Sequence, residues 1–138
     1  MKKIILTTVL TIITTYLFAQ NPIGKWKIVS HISEYEGQKF DSHKALLTSK
    51  PCAAKIIIEL NADASYRLNA SNSGCEERYK KFQEKLYSKT NWQVKNGVIT
   101  LSTLKDFAVG QSYKISISGS KMTWVGIDGQ GTIVYQKQ

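Results

Sequence analysis

Few residues in this chain are of the types that carry chemistry. There are two histidines, His31 and His43, two cysteines, Cys52 and Cys75, and two arginines, Arg67 and Arg78. A zinc site takes about four ligands at close intervals, and these residues do not supply that spacing. No Gly-rich phosphate loop and no C-x-x-C pair occurs, which excludes a P-loop and a thioredoxin-like redox centre. Asp41-Ser42-His43 holds the residue types of a hydrolytic triad, but neighbours in one loop do not face one another as a triad requires. Glu34 and Glu36 alternate onto one face of an extended segment, which reads as a solvated edge rather than a catalytic pair. No catalytic residue, metal site or cofactor is expected.

Long hydrophobic runs are also missing, with one exception. Ile4 to Phe18 carries no charge, follows Lys2 and Lys3, and is followed by Ala19. A positive start, an apolar middle and a small residue at the cut are the layout of a secretory signal peptide. The run is too short and too rich in threonine to span well, since a spanning helix takes about 20 apolar residues. No cysteine follows the cut to take a lipid. The expected organisation is a leader over residues 1–19 and one domain over residues 20–138, periplasmic or secreted, with no stable membrane anchor. In such a compartment Cys52 and Cys75 are expected to form a disulfide.

Without Lys2 and Lys3, seventeen basic residues stand against ten acidic ones, a net charge of +7. Such a balance favours anionic partners. Almost all of it is lysine spread along the chain, however, and arginine is the better phosphate reader. Scattered solvated lysines on a soluble monomer are the simpler reading.

What the chain has in quantity is period-two alternation broken by turn residues, the signature of antiparallel sheet with one buried face. Asn91 to Lys95 alternates, Asn96-Gly97 is a strong two-residue hairpin signal, and Val98 to Ser102 returns. That turn pairs Val94 with Ile99 and Trp92 with Leu101, all on one face. Ser112 to Ser118, the turn Gly119-Ser120 and Lys121 to Trp124 repeat the arrangement, setting Ile117 against Met122 and Ile115 against Trp124. Thr132 to Lys137 is the last strand, with Ile133 and Tyr135 on the face of Trp124.

The front half follows the same rule. Gly24 to Ser30 is strand one, with Trp26 and Ile28 inward. Lys55 to Leu60 and Ser65 to Ala70 are strands two and three, pairing Leu60 with Tyr66 or Leu68. Extending that hairpin brings Cys52 to within one position of Cys75, close enough to bridge. Two segments break the alternation. In residues 31–51, Glu36-Gly37 suits a small extra hairpin and His43 to Thr48 a helical turn. Glu76 to Ser88 has helical spacing, with Tyr79, Phe82 and Leu86 as a stripe expected to pack on the sheet, and Asn72 or Ser73 as a cap. Eight strands result, the number that closes a small barrel. The fold expected is all-β, an eight-stranded antiparallel up-and-down barrel with one short helix between strands 3 and 4.

At this point the residues resemble a known family. Gly24-Lys25-Trp26 matches the Gly-x-Trp opening of lipocalins. Glu59-Leu60-Asn61-Ala62-Asp63-Ala64-Ser65-Tyr66 is similar to the Phe-Asn-x-Asp-Gly-x-Tyr hairpin of small bacterial lipocalin-like domains. Asn91 to Leu101 is similar to their Gly-x-Trp-x-Val-x-Gly-x-x-Leu-x-Leu segment. The family's turn glycine is Ala64 here, Asn91 stands before the tryptophan in place of glycine, and Lys137 stands where lipocalins place an arginine over the first tryptophan. The resemblance implies a lipocalin-like barrel with a cavity open at one end and binding of small apolar molecules.

The predicted inner face includes Trp26, Ile28, Tyr66, Leu68, Trp92, Tyr113, Ile115, Trp124 and Tyr135. Inward aromatics cannot form the exposed stacking platform that nucleic-acid binding uses, so no nucleic acid is expected. They either wall a ligand cavity or fill the barrel as a core, and the pattern accommodates both. In a cavity the polar handles would be Tyr66, Tyr113 and Tyr135, with Ser30 near the rim. The corresponding functions are a non-enzymatic exported binding protein for a small apolar or amphipathic molecule, or a protein-partner module such as an inhibitor, an immunity-type protein or an envelope assembly factor.

Overall fold

The computed structural model describes residues 21–138. The expected leader, residues 1–19, and its cut after Ala19 lie outside the described residues. β1 (Gly24–Tyr35) leads into β2 (Gln38–Asp41), α1 (Ser42–Ser49) and a 3-10 turn over Pro51–Lys55. β3 (Ile57–Leu60), β4 (Tyr66–Asn69) and α2 (Glu77–Leu86) follow, then β5 (Asn91–Lys95), β6 (Val98–Ser102), β7 (Gln111–Ser118), β8 (Lys121–Gly126) and β9 (Thr132–Lys137). The ladder runs β4-β3-β1-β9-β8-β7-β6-β5, with β2 paired to β1 outside this path. A bridge between Ser65 and Asn91 joins the two ends of the ladder. The result is a nearly closed eight-stranded up-and-down barrel, the fold expected from the alternation.

Turn chemistry sets the registers. Asn96 and Gly97 both take positive φ, 52° and 72°, as a type I′ turn requires. Val94 accordingly faces Ile99 and Trp92 faces Leu101. Ile115 faces Trp124 and Ile117 faces Met122, and Leu60 takes Tyr66 as its partner. Glu36 and Gly37 (φ 50° and 75°) close the extra hairpin between Tyr35 and Gln38.

The 61–65, Asn96-Gly97 and Gly119-Ser120 turns gather at one end of the barrel, the turn end, whereas the Glu36-Gly37 turn closes the far end of β1. The two helices and the 103–110 and 127–131 loops gather at the other, the helix end. Trp26, Leu60, Ile99, Met122, Trp124 and Tyr135 are fully buried and fill the interior. The Trp26 indole N–H donates to the Pro22 carbonyl at 2.8 Å, and the Lys137 ammonium sits over its ring at 5.5 Å from the centroid. Lysine thus performs the covering contact through its charge and the ring face.

Four expectations need correction. First, β1 and β9 slip register between Ile28 and Ser30. A bulge reverses the alternation beyond it, so His31 rather than Ser30 pairs with inward Ile133. Second, Cys52 and Cys75 are bonded, with Cα atoms 5.2 Å apart, but not across an extended hairpin. Cys52 sits in the 3-10 turn, and the bridge ties that turn to the segment before α2. Third, α2 has Glu76 at its N-cap with no side-chain cap bond. Ser73 instead donates to Ala70 and accepts from the Cys75 amide. Fourth, the stripe of α2 does not all pack on the barrel. Phe82 and Leu86 are 56% and 51% exposed. The inward side carries Tyr79, Gln83 and Glu84, and Glu84 accepts a bond from the Ala70 amide at 3.1 Å.

β4 and β5 meet only near their starts, through Tyr66 N–H to Thr90 and Trp92 N–H to Ala64. Beyond that bridge the seam is held by a side chain. The Arg67 Nη1 donates to the carbonyl oxygens of Tyr66, Tyr87 and Thr90 at 2.7, 3.2 and 2.7 Å. A planar, always-charged guanidinium suits a cluster of backbone carbonyl oxygens, each with lone pairs beyond those the backbone bonds use.

Candidate ligand-binding site

An apolar cavity of about 80 Å³ lies at the helix end, on the β1-β3-β4 side. Its floor is Ile28, Ile58 and Leu68 from the inner face of the barrel. Its roof is His43 and Leu46 of α1, Ala53 and Ile56 around the 3-10 turn, and Tyr79 and Gln83 of α2. The roof follows from local rules. The Asp41 side chain accepts from the Lys44 amide at 3.0 Å and starts α1. Pro51 stands in the first turn of the 3-10 segment, where its missing N–H costs nothing. The disulfide then holds this segment against the chain entering α2. At the rim, the Lys50 ammonium lies 4.3 Å from the centroid of the Tyr79 ring.

Two polar groups belong to this site. Burial holds the His43 imidazole below its ordinary pKa, with the nearby Asp41 carboxylate opposing that shift and His31 adding to it. His31 turns toward the 127–131 loop, its Nε2 bonding the Gln130 carbonyl oxygen at 2.9 Å. Asp41 spends its carboxylate on the His31 and Lys44 amides, and the Ser42 hydroxyl donates to the His31 carbonyl. Asp41, Ser42 and His43 therefore build α1 and do not form a relay. Among the described residues no group of three or more histidine, cysteine, aspartate or glutamate side chains is placed to hold a metal.

Beneath the cavity the barrel is filled by stacked aromatics. Trp124 lies 4.8 Å from Tyr135, 5.3 Å from Tyr113 and 6.4 Å from Tyr66, and Tyr66 meets Tyr87 edge-on at 5.1 Å. Burial pushes the Tyr66 and Tyr135 phenols far above their ordinary range and Tyr113 up as well, with neighbouring tyrosines adding to each shift. The indole N–H groups of Trp92 and Trp124 are buried with no hydrogen-bond partner among the described residues. A second, wider cavity of about 260 Å³ lies on the β5-β6-β7 side, between Tyr87, Thr90 and the 103–110 loop.

Of the nine residues expected to line a ligand cavity, Ile28 and Leu68 line the apolar one. Tyr66, Tyr113, Trp124 and Tyr135 form the packed cluster below, and Ile115 is buried in the same core. Trp92 is half-buried against that core. Trp26 lies at the turn end and lines neither cavity. Of the roof residues, Ile56 lies on the inner face expected for the strand over Lys55 to Leu60, whereas His43, Leu46, Tyr79 and Gln83 come from the two segments without alternation and Ala53 from the turn between the first of them and that strand. The one sequence signal for them is the run Ala53-Ala54-Lys55-Ile56-Ile57-Ile58, too apolar for a solvated loop.

A nearly closed up-and-down barrel with its core packed toward one end and an apolar cavity roofed at the other defines a lipocalin-like protein. The family model for the lipocalin-like domain matches residues 23–124, and the chain belongs to that family. At the family level this is a small-molecule-binding fold, generally non-enzymatic. No curated protein and no solved structure matches the chain.

Proposed function

We propose that the protein is a non-enzymatic binding protein for a small apolar or amphipathic molecule, exported by the leader expected at residues 1–19. The apolar end of the ligand enters the cavity between Ile28, Leu68 and Ala53, and its polar end remains between α1 and α2. The observation that carries the reading is the cavity itself, apolar on its barrel side and bordered by His43, Gln83 and Lys50 on its solvent side. Pockets of this composition bind by burying apolar surface and orient the ligand with few polar groups. Size restricts the class. An apolar cavity of about 150 Å³ takes benzene, so this one takes the end of an alkyl chain or a group of similar bulk. The disulfide and the absence of a long apolar helix among the described residues are compatible with an exported protein.

The test is a titration of the full chain, recovered as the cell leaves it, with a fluorescent fatty acid, followed by tryptophan quenching. Saturable one-to-one binding is expected. Ala53→Leu, which fills the cavity with three added carbons, should weaken it at least tenfold. Leu68→Ala, which enlarges the cavity, should admit bulkier probes. Equal affinity of wild type and Ala53→Leu would overturn the assignment of the site. N-terminal sequencing of the recovered protein reads the leader directly, with Gln20 expected first.

A further inference from the structure

The outer face of α2 has no partner within the molecule. Its inward side is spent on the cavity roof and on the Ala70 amide. Outward it presents Arg78, Lys81 and Lys85, with Phe82 and Leu86 beside them, and Lys89 follows one turn on. Phe82 and Leu86 are more than half exposed. Glu77 is the acidic residue on this face, and its carboxylate is shared by Lys80 at 2.9 Å and Lys81 at 3.8 Å. The patch continues past the helix. Val109, 71% exposed, stands on the loop that borders the wider cavity opposite Tyr87. Leu104, 47% exposed, and Lys105 lie on the same loop.

We propose that this face docks the protein on an anionic phospholipid surface, with α2 lying flat and Phe82, Leu86 and Val109 entering the headgroup region. Clustered cations attract an anionic lipid surface, and exposed large apolar side chains beside them add insertion at the interface. Charge complementarity selects a phospholipid over a neutral surface. Aromatic and aliphatic side chains standing out on a convex helix suit a soft surface that closes around them. The turn end carries cations as well, including Lys25, Lys95 and Lys121. Its apolar side chains are turned inward apart from Ile23, so it offers charge without insertion. The geometry goes beyond ligand binding: it places both cavities against the surface, where an amphipathic molecule would enter or leave.

Flotation of the full chain with vesicles tests this. Vesicles of phosphatidylcholine with one quarter phosphatidylglycerol should carry the protein, and pure phosphatidylcholine vesicles should not. Raising the salt to 0.5 M should release most of it. The triple variant Arg78→Gln, Lys81→Gln, Lys85→Gln should bind more weakly by about fivefold for each charge removed. Phe82→Ala with Leu86→Ala should lose binding to a similar extent. The control is Lys25→Gln, Lys95→Gln, Lys121→Gln, with the same change of net charge and unaltered binding expected. Equal loss in the control would reduce the effect to general attraction and overturn the docking face. So would equal binding to neutral vesicles, or no binding at all, which would give the face to a protein partner. Every variant is also titrated with the fluorescent fatty acid. Failure of vesicle docking with unchanged fatty-acid binding rejects this inference and leaves the cavity reading intact.

Discussion

Removing the bridge between Cys52 and Cys75 should cost the protein about a fifth to three fifths of an ordinary domain's stability. The cross-link spans 23 residues. In the chain-entropy treatment such a loop lowers the entropy of the unfolded chain enough to contribute about 3 kcal/mol at 25 °C. For a domain of this length, a loss of 1 kcal/mol lowers the melting temperature by about 4 °C. Cys52→Ala with Cys75→Ala should therefore melt about 12 °C below the wild type in far-UV circular dichroism. Alanine rather than serine is chosen because Cys75 is buried and a new hydroxyl there would add its own penalty. Reductant should move the wild type to the variant's melting point and leave the variant unmoved. The bridge also fixes the segment carrying Ala53 and Ile56 in the cavity roof, so fatty-acid affinity should fall while the barrel remains folded. A melting temperature within about 3 °C of the wild type would refute the reasoning, because it would mean that the unfolded chain gains little freedom.

Three further outcomes are expected. Ala64 holds φ at 67° in the β3-β4 turn. A left-handed conformation penalises alanine by about 1–2 kcal/mol and glycine hardly at all, so Ala64→Gly should stabilise by about 0.5–1 kcal/mol after the added freedom of the unfolded chain, read from urea midpoints. Tyr66 and Tyr135 are raised by burial from a reference of 10.0. The unfolded chain then ionises first, so stability is complete below pH 10 and falls as pH rises above it. Phenolate absorbance from these two should appear only as the near-ultraviolet dichroism collapses. His43 is lowered from 6.5, so the unfolded state binds the proton more readily and stability falls as pH drops below 6.5. Proton NMR should give His43 a midpoint below that value, and His43→Gln should flatten the acid limb of the stability profile.

The parts of the fold legible in sequence are those in which a tight turn and an alternating strand enforce one another. Asn96-Gly97 and Gly119-Ser120 each fix a register, and the residues on either side agree with it. Where the chain leaves that regime, the pattern loses its hold. The bulge between Ile28 and Ser30 arises from pairing with a strand about a hundred residues away, and no local residue announces it. The apolar stripe expected on the inner side of α2 holds for Tyr79, but that side also meets the Ala70 amide and the cavity rim, where Glu84 and Gln83 stand and Phe82 and Leu86 do not. The candidate site was half legible for the same reason. Its floor, Ile28 and Leu68, obeys strand alternation, whereas its roof is assembled from three short elements that a disulfide and the Asp41 cap hold in place.

The pairing of β1 with β9 also governs when the molecule can come into being. Trp26 stands opposite Lys137 across the ladder, and the Gln138 amide donates to the Lys25 carbonyl beside it, so β1 waits for β9, the strand farthest from it in sequence. The β3-β4, β5-β6, β7-β8 and β8-β9 pairs are joined by short connections, and such hairpins form on the microsecond scale. Loop closure between the two extremes comes later, because the most entropy is lost there before any contact rewards it. A nascent chain lacking its final strand has a row of open backbone groups on β1 and no shelter for Trp26. It remains an unfinished meander until β9 is there to pair.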